Sequence, residues 1–143
     1  MSVAEGFFIA GTIPFAALAV IHLVLTLRDL RRPRYFRPVD EGLIPALKDT
    51  GVAVLAPAPG AQTMWRAWLG ANLTHGLGLL VFAALLLLIA VHDYALVPGI
   101  PALQPLSITI AISYLLIAVR FWFLPAAAAA SVGLTCVVIA AII

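Results

Sequence analysis

Two histidines and an asparagine are the residues of this sequence whose types and spacing could do chemistry. Asn72 and His75 lie three residues apart in the segment MWRAWLGANLTHGLG (Met64–Gly78), and His22 lies in an earlier apolar segment. On a helix, at about 100° per residue, Asn72 and His75 share a face with two tryptophans of the segment. Two imidazoles on facing helices could ligate a haem or transfer protons. The simpler alternative is a hydrogen bond between helices, from His22 to Asn72 or from His75 to Ser113.

Apolar spans would position these residues. The chain has 143 residues, of which 64% are hydrophobic and 10% charged, whereas soluble proteins carry about 25% charged residues. Four segments are long enough to cross the roughly 30 Å of hydrocarbon in a bilayer. They predict an all-α membrane protein, a four-transmembrane-helix bundle that forms a single domain (1–143). The helices are expected at about 7–27, 66–91, 106–122 and 126–143.

A long basic loop, 28–64, separates the first two spans. Seven of the eight lysines and arginines lie between Arg28 and Arg66, and five of them lie between Arg28 and Arg37. Cytoplasmic loops carry an excess of such residues, so we expect this loop in the cytoplasm and both termini outside it. The single lysine beside seven arginines, with abundant alanine and leucine, suggests a bacterial source and hence a bacterial inner membrane.

This topology would bring the scattered polar residues to one depth, in the cytoplasmic leaflet. Polar groups in hydrocarbon face the bundle interior or a wet cavity, so we expect one network with His75 at its centre. No nucleophile–base pair is visible, and no carboxylate or second cysteine lies at the right depth for a metal site, so we assign no catalytic or metal residues. The candidate cofactor-binding residues are His22, His75, Asn72, Trp68 and Arg120.

Several of these features have simpler alternatives. Trp65 and Trp68 could be interface anchors or a stacking surface for a quinone or lipid headgroup. Arg120 could reach lipid phosphates or bind an anion in a pocket. The cluster Arg28–Arg37 could serve topology and lipid attraction, or dock an acidic partner. The small residues Gly70, Thr74 and Gly78, spaced by four, predict a ridge for close helix packing inside the molecule, or else for docking another chain.

Three stretches resemble a family of small four-helix bacterial integral membrane proteins of unassigned function. They are HLVLT in the first span, MWRAWLGANLTHGLG in the second and YLLIAVRFWF in the third, and the W-x2-W-x3-N-x2-H string is the most specific. The resemblance implies the four-helix fold but no known chemistry. It also implies recurrent polar and aromatic positions at His22, Thr26, Trp65, Trp68, Asn72, His75 and Arg120.

Two classes of function remain. The first is a non-catalytic helical module, an accessory or structural subunit of a larger bacterial membrane complex, which the small size and the small-residue ridges favour. The second is a four-helix pocket in the cytoplasmic leaflet that binds a haem, a quinone or a lipid-like ligand, and this class leaves room for a small membrane enzyme. We favour the first, and the cofactor stays unknown. The expected partners are membrane lipids and other transmembrane subunits or a second copy of the chain, and not nucleic acid.

Overall fold

Four long apolar helices make up most of the molecule. The computed structural model describes residues 1–52 and 63–143, and it is 80% helical. The long helices are α1 (Val3–Asp29), α3 (Met64–Asp93), α5 (Leu103–Phe121) and α6 (Leu124–Ile142), and the short ones are α2 (Leu43–Asp49) and α4 (Leu96–Gly99). Each long helix is apolar enough to cross a membrane. The predicted fold class, an all-α protein with four transmembrane helices, is confirmed, and the chain is a multi-pass membrane protein.

The observed helices are close to the predicted spans: α1 and α3 extend beyond theirs at both ends, and α5 and α6 begin slightly earlier and end one residue earlier. Helix α1 begins at Val3 because a capping box closes its first turn: Ser2 Oγ accepts from the Glu5 N–H, and Glu5 Oε2 accepts from the Ser2 N–H. Hydropathy marks only the apolar part of a span, so it misses such polar ends. The predicted loop 28–64 includes α2, and its residues 53–62 lie outside the described part. The side of the membrane on which each terminus lies stays a prediction.

The chain divides into two compact units, and α1 and α3 contribute residues to both. Unit 1 comprises Met1–Ala19 and Gly78–Ile143. Its buried side chains form two apolar clusters. Within it α1 and α6 approach closely at a pair of glycines: a Cβ on Gly133 would lie 2.9 Å from the Gly11 carbonyl oxygen, and a Cβ on Gly11 would lie 3.0 Å from that of Gly133. Such backbone proximity is how small residues pack transmembrane helices.

Unit 2 comprises Val20–Leu77, which includes the end of α1, the basic segment, α2 and the start of α3. Its helices also meet at a glycine, Gly76, because a Cβ there would lie 2.9 Å from Leu23 Cγ and Cδ2 and 3.1 Å from His22 Cδ2. This glycine belongs to the same face of α3 as the buried Asn72.

The predicted packing ridge is wrong as an intramolecular contact at Gly70 and Thr74, whereas at Gly78 a Cβ would lie 3.4 Å from the hydroxyl oxygen of Tyr114 in α5. All three ridge residues are exposed, and a Cβ on Gly70 would meet nothing within 4 Å. The hydroxyl of Thr74 donates to the Gly70 carbonyl oxygen of its own helix. Small size permits close packing but does not select a face, so Gly70 and Thr74 remain open to contact with another chain or with lipid.

Candidate functional site

His22 is the centre of the polar cluster in unit 2. Its Nε2–H donates to the main-chain carbonyl oxygen of Asn72 over 3.1 Å, which joins α1 to α3. Its ring lies 5.3 Å from that of His75, centroid to centroid, at an interplanar angle of 70°. The hydrogen bond predicted between His22 and Asn72 is confirmed, although its acceptor is the backbone. His22 makes the hydrogen bond between the two helices, and the central place expected for His75 stays a prediction.

Local sequence explains why His22 can sit this deep. Gly76, one turn after Asn72, has no side chain and leaves room for the imidazole. Thr26, one turn after His22, is fully buried and donates its hydroxyl to the His22 carbonyl oxygen over 2.8 Å. That bond satisfies the threonine within its own helix, as is usual for hydroxyls in apolar surroundings.

Asn72 is only 3% exposed and contributes both a used and an unused polar group. Its Nδ2 donates to the Trp68 carbonyl oxygen over 2.8 Å. Its Oδ1 is buried and accepts no hydrogen bond from the described residues. Buried polar atoms almost always have a partner, so this oxygen is suited to a small donor, such as a water or a hydroxyl group.

Asp29, the last residue of α1, organises the segment that follows. It is fully buried, and its carboxylate accepts hydrogen bonds from three consecutive backbone N–H groups, those of Arg34 (2.9 Å), Tyr35 (3.0 Å) and Phe36 (2.7 Å). Ionised acceptors form the stronger class of hydrogen bond, so this cap fixes the path of the chain after α1. The residue pattern of the segment assigns no role to this aspartate.

A sequence signal for Asp29 does exist. The C-terminal end of a helix carries partial negative charge, which disfavours an acid there. An aspartate at such an end, among five arginines, therefore indicates a specific partner for its carboxylate. That partner is a turn of backbone amides, which no residue-type pattern displays.

The capped segment carries Phe36 back to the two helices. The Phe36 ring lies 4.8 Å from that of His22, and its carbonyl oxygen accepts from Trp68 Nε1 over 3.1 Å. Trp68 is 49% exposed, as an interface residue would be, but its indole also holds the segment in place. Trp65 is only 6% exposed and is part of the protein core, so the prediction that it is an interface anchor is wrong.

Arg120, the remaining candidate, belongs to unit 1. It is exposed in the last turn of α5, and its guanidinium carbon lies 5.2 Å from the centre of the Phe121 ring. Ser113 of the same helix is exposed and donates to the Thr109 carbonyl oxygen within α5. The hydrogen bond between His75 and Ser113 stays a prediction.

The histidine pair does not fit haem ligation. Two axial histidines face each other across a porphyrin with the iron between their nitrogens. Here the two rings are in direct contact, and Nε2 of His22 is already bonded to Asn72. The described residues also contain no group of three or more His, Cys, Asp or Glu that could hold a metal ion. What the cluster can do chemically is bind one small hydrogen-bonding group at Asn72 Oδ1.

Comparison with protein-family models gives no match to this chain, and comparisons with curated proteins and with solved structures give none either. The resemblance to small four-helix bacterial membrane proteins therefore stays an expectation based on its three motifs. The assignment of His22, His75, Asn72, Trp68 and Arg120 as cofactor-binding residues likewise stays a prediction.

Proposed function

We propose that this protein is a non-catalytic helical module of the bacterial inner membrane, an accessory or structural subunit of a larger assembly. One observation carries the proposal: His22, Asp29 and Trp68 direct their side-chain hydrogen bonds to the backbone of the chain itself. His22 bonds to α3, Asp29 caps the following segment, and Trp68 bonds to that segment. A catalytic site would instead keep such groups available for a substrate.

The polar cluster then works as a clamp that holds three chain segments together. It joins the end of α1, the start of α3 and the segment 34–36. Each hydrogen bond of this kind contributes about 1 kcal/mol, and the hydrogen bonds to the ionised carboxylate contribute about 1.5–3 kcal/mol. The clamp keeps the arginine-rich segment in one conformation at the membrane surface, which on the positive-inside rule is the cytoplasmic one.

The exposed small residues of α3 support the assembly part of the proposal. Gly70 and Thr74 leave the helix backbone open to a neighbour. Another transmembrane subunit or a second copy of the chain could approach there. Gly70→Leu should leave the isolated chain folded, because nothing lies within 4 Å of its Cβ position. It should reduce the size of the native complex seen by electrophoresis of mild detergent extracts. An unchanged complex with Gly70→Leu would remove this support.

The experiment that tests the module is a comparison at His75. If the role is structural, His75→Gln should be nearly tolerated, because an amide still donates and accepts, whereas His75→Leu should lower the free energy of unfolding by about 1–2 kcal/mol. The purified wild-type chain should show no visible-range absorption. If His75→Gln lowers the free energy of unfolding as much as His75→Leu does, the ring nitrogen itself is required for ligation or proton transfer, and the proposal of a non-catalytic module is wrong.

A second candidate, binding of a small ligand in the same cluster, is favoured by the unused Oδ1 of Asn72. A ligand with a hydroxyl donor, such as a quinol or a lipid headgroup, could bond there beside the histidine pair. Mass spectrometry of small molecules that co-purify with the wild type and with Asn72→Leu decides between the two. A compound held in stoichiometric amount by the wild type and lost from the variant would establish this alternative.

A further inference from the structure

A groove that combines apolar and cationic side chains runs along the end of α1 in unit 2. It has a volume of about 530 Å³ and is lined by Val24, Leu27, Arg28, Leu30 and Arg31. The three apolar residues are all substantially exposed. Val24, Leu27 and Arg31 follow one another at spacings of three and four, so they share one face of the helix and its first residues beyond. The groove is therefore apolar along the helix and basic at its end.

The two arginines of the groove carry uncompensated charge. In the described part of the chain, the ion pairs are those of the N-terminus with Glu5 and of Arg37 with Glu41, and neither includes Arg28 or Arg31. The nearest acid in sequence, Asp29, is fully buried and its oxygens accept from backbone amides. Arg28 makes one long hydrogen bond, 3.4 Å, to the hydroxyl of Tyr35. Both guanidinium groups are exposed at the rim.

We propose that this groove binds an anionic phospholipid, with its phosphate between Arg28 and Arg31 and an acyl chain along Val24, Leu27 and Leu30. Guanidinium groups bind phosphate oxygens in a bidentate manner and are only weakly hydrated, which suits the headgroup region. The position is also appropriate, because the arginines follow the last apolar turn of a helix that can cross the membrane. Basic sites beside transmembrane helices bind anionic headgroups.

The apolar side of the groove decides between a lipid and a soluble anion. A phosphate ion would use the two arginines alone, and it would leave Val24 and Leu27 without a role. An acidic protein segment would likewise be placed against exposed aliphatic side chains. A phospholipid matches both halves in the order in which they occur along the helix. This inference does not depend on a partner subunit, so the purified full chain is enough to test it.

The test is a lipid titration of the purified chain in mild detergent, followed by native mass spectrometry. Phosphatidylglycerol should bind more tightly than phosphatidylcholine. The double variant R28Q/R31Q should weaken phosphatidylglycerol binding about 30-fold, which corresponds to about 1 kcal/mol for each charge removed. The matched control, R32Q/R34Q, removes the same charge from exposed arginines outside the groove, and its affinity should fall by less than about threefold.

The outcomes separate a lipid site from general attraction. Equal losses in the two double variants would show that only the net charge of the segment matters, and would overturn the proposal. Glycerol phosphate has no acyl chain. If it protected the protein against thermal unfolding as well as phosphatidylglycerol does, the lipid part of the proposal would be overturned. R28K/R31K keeps the charge but not the bidentate geometry, so it should weaken binding less than R28Q/R31Q does. If R28Q/R31Q lost binding only because it unfolds, its melting temperature in lipid-free detergent would fall below that of the control. In that case the affinities of R28K/R31K for phosphatidylglycerol and for phosphatidylcholine decide, and equal affinities would overturn the proposal.

Discussion

The sharpest prediction concerns two glycines on one helix, Gly76 and Gly70, that the structure places in opposite surroundings. A Cβ on Gly76 would lie 2.9 Å from two carbon atoms of Leu23 and 3.1 Å from the His22 ring, whereas one on Gly70 would meet nothing within 4 Å. Both residues lie in the interior of α3, so glycine to alanine makes the same chemical change in both. Any difference between the two variants therefore reports packing alone.

The magnitude follows from two opposing terms. Alanine is favoured over glycine in a helix by about 1 kcal/mol, and this term applies at both positions. Overpacking a close contact costs about 1–3 kcal/mol, and this term applies only at Gly76. Gly70→Ala should therefore be neutral or stabilising by up to about 1 kcal/mol. Gly76→Ala should be less stable than Gly70→Ala by about 1–3 kcal/mol.

The assay is reversible unfolding of each variant in mixed detergent micelles, followed by far-ultraviolet circular dichroism. A double-mutant cycle identifies the atoms responsible: Leu23→Ala removes both carbons that the new methyl group would meet, so Gly76→Ala should be better tolerated in that background by about 1 kcal/mol. Equal stability of Gly76→Ala and Gly70→Ala would refute the close contact. Additive effects of Leu23→Ala and Gly76→Ala would show that the penalty arises elsewhere.

Three further predictions follow from other contacts. Asp29→Ala leaves three backbone N–H groups without their acceptor, so it should lower the free energy of unfolding by about 1–3 kcal/mol and speed trypsin cleavage after the neighbouring arginines. The control is Asp40→Ala, which removes the acceptor of a single exposed amide and should change neither quantity. Gly133→Ala should destabilise unit 1, measured by thermal unfolding, because its Cβ would lie 2.6 Å from a carbon of the Phe15 ring; wild-type stability would contradict this. In a cysteine-free background, a single cysteine at Asp93 should be labelled by a reagent added outside the cell, and one at Thr50 should be protected from it. The reverse pattern would invert the orientation.

The transmembrane spans could be predicted because a bilayer imposes a length on any helix that crosses it. Each span is recognisable from the hydropathy of its residues without knowledge of its neighbours. The contact of His22 with Asn72 could be predicted for a related reason, since both residues lie near the predicted cytoplasmic ends of their spans. Depth along the membrane normal can be counted from the sequence.

The cap at Asp29 could not be predicted in the same way. Its partners are the backbone amides of three consecutive residues, and every residue except proline has such a group. The identity of the residues at 34–36 says little about whether their N–H groups converge. Only the helix position of the aspartate, unfavourable for its charge, carries a signal.

Which face of α3 points into the protein is harder to predict from the sequence, and the free-energy cost of placing polar groups in lipid decides it. Lipid is as apolar as a protein core, so the distribution of apolar side chains does not distinguish an inner from an outer face. Small residues do not distinguish them either. An asparagine does, because its amide is costly to expose to hydrocarbon. With Asn72 inward, Gly76 lies about 40° from it around the helix, while Gly70 and Thr74 lie about 160° away at 100° per residue. The sequence therefore contains the orientation, provided that the polar residue and not the small-residue spacing is used to set it.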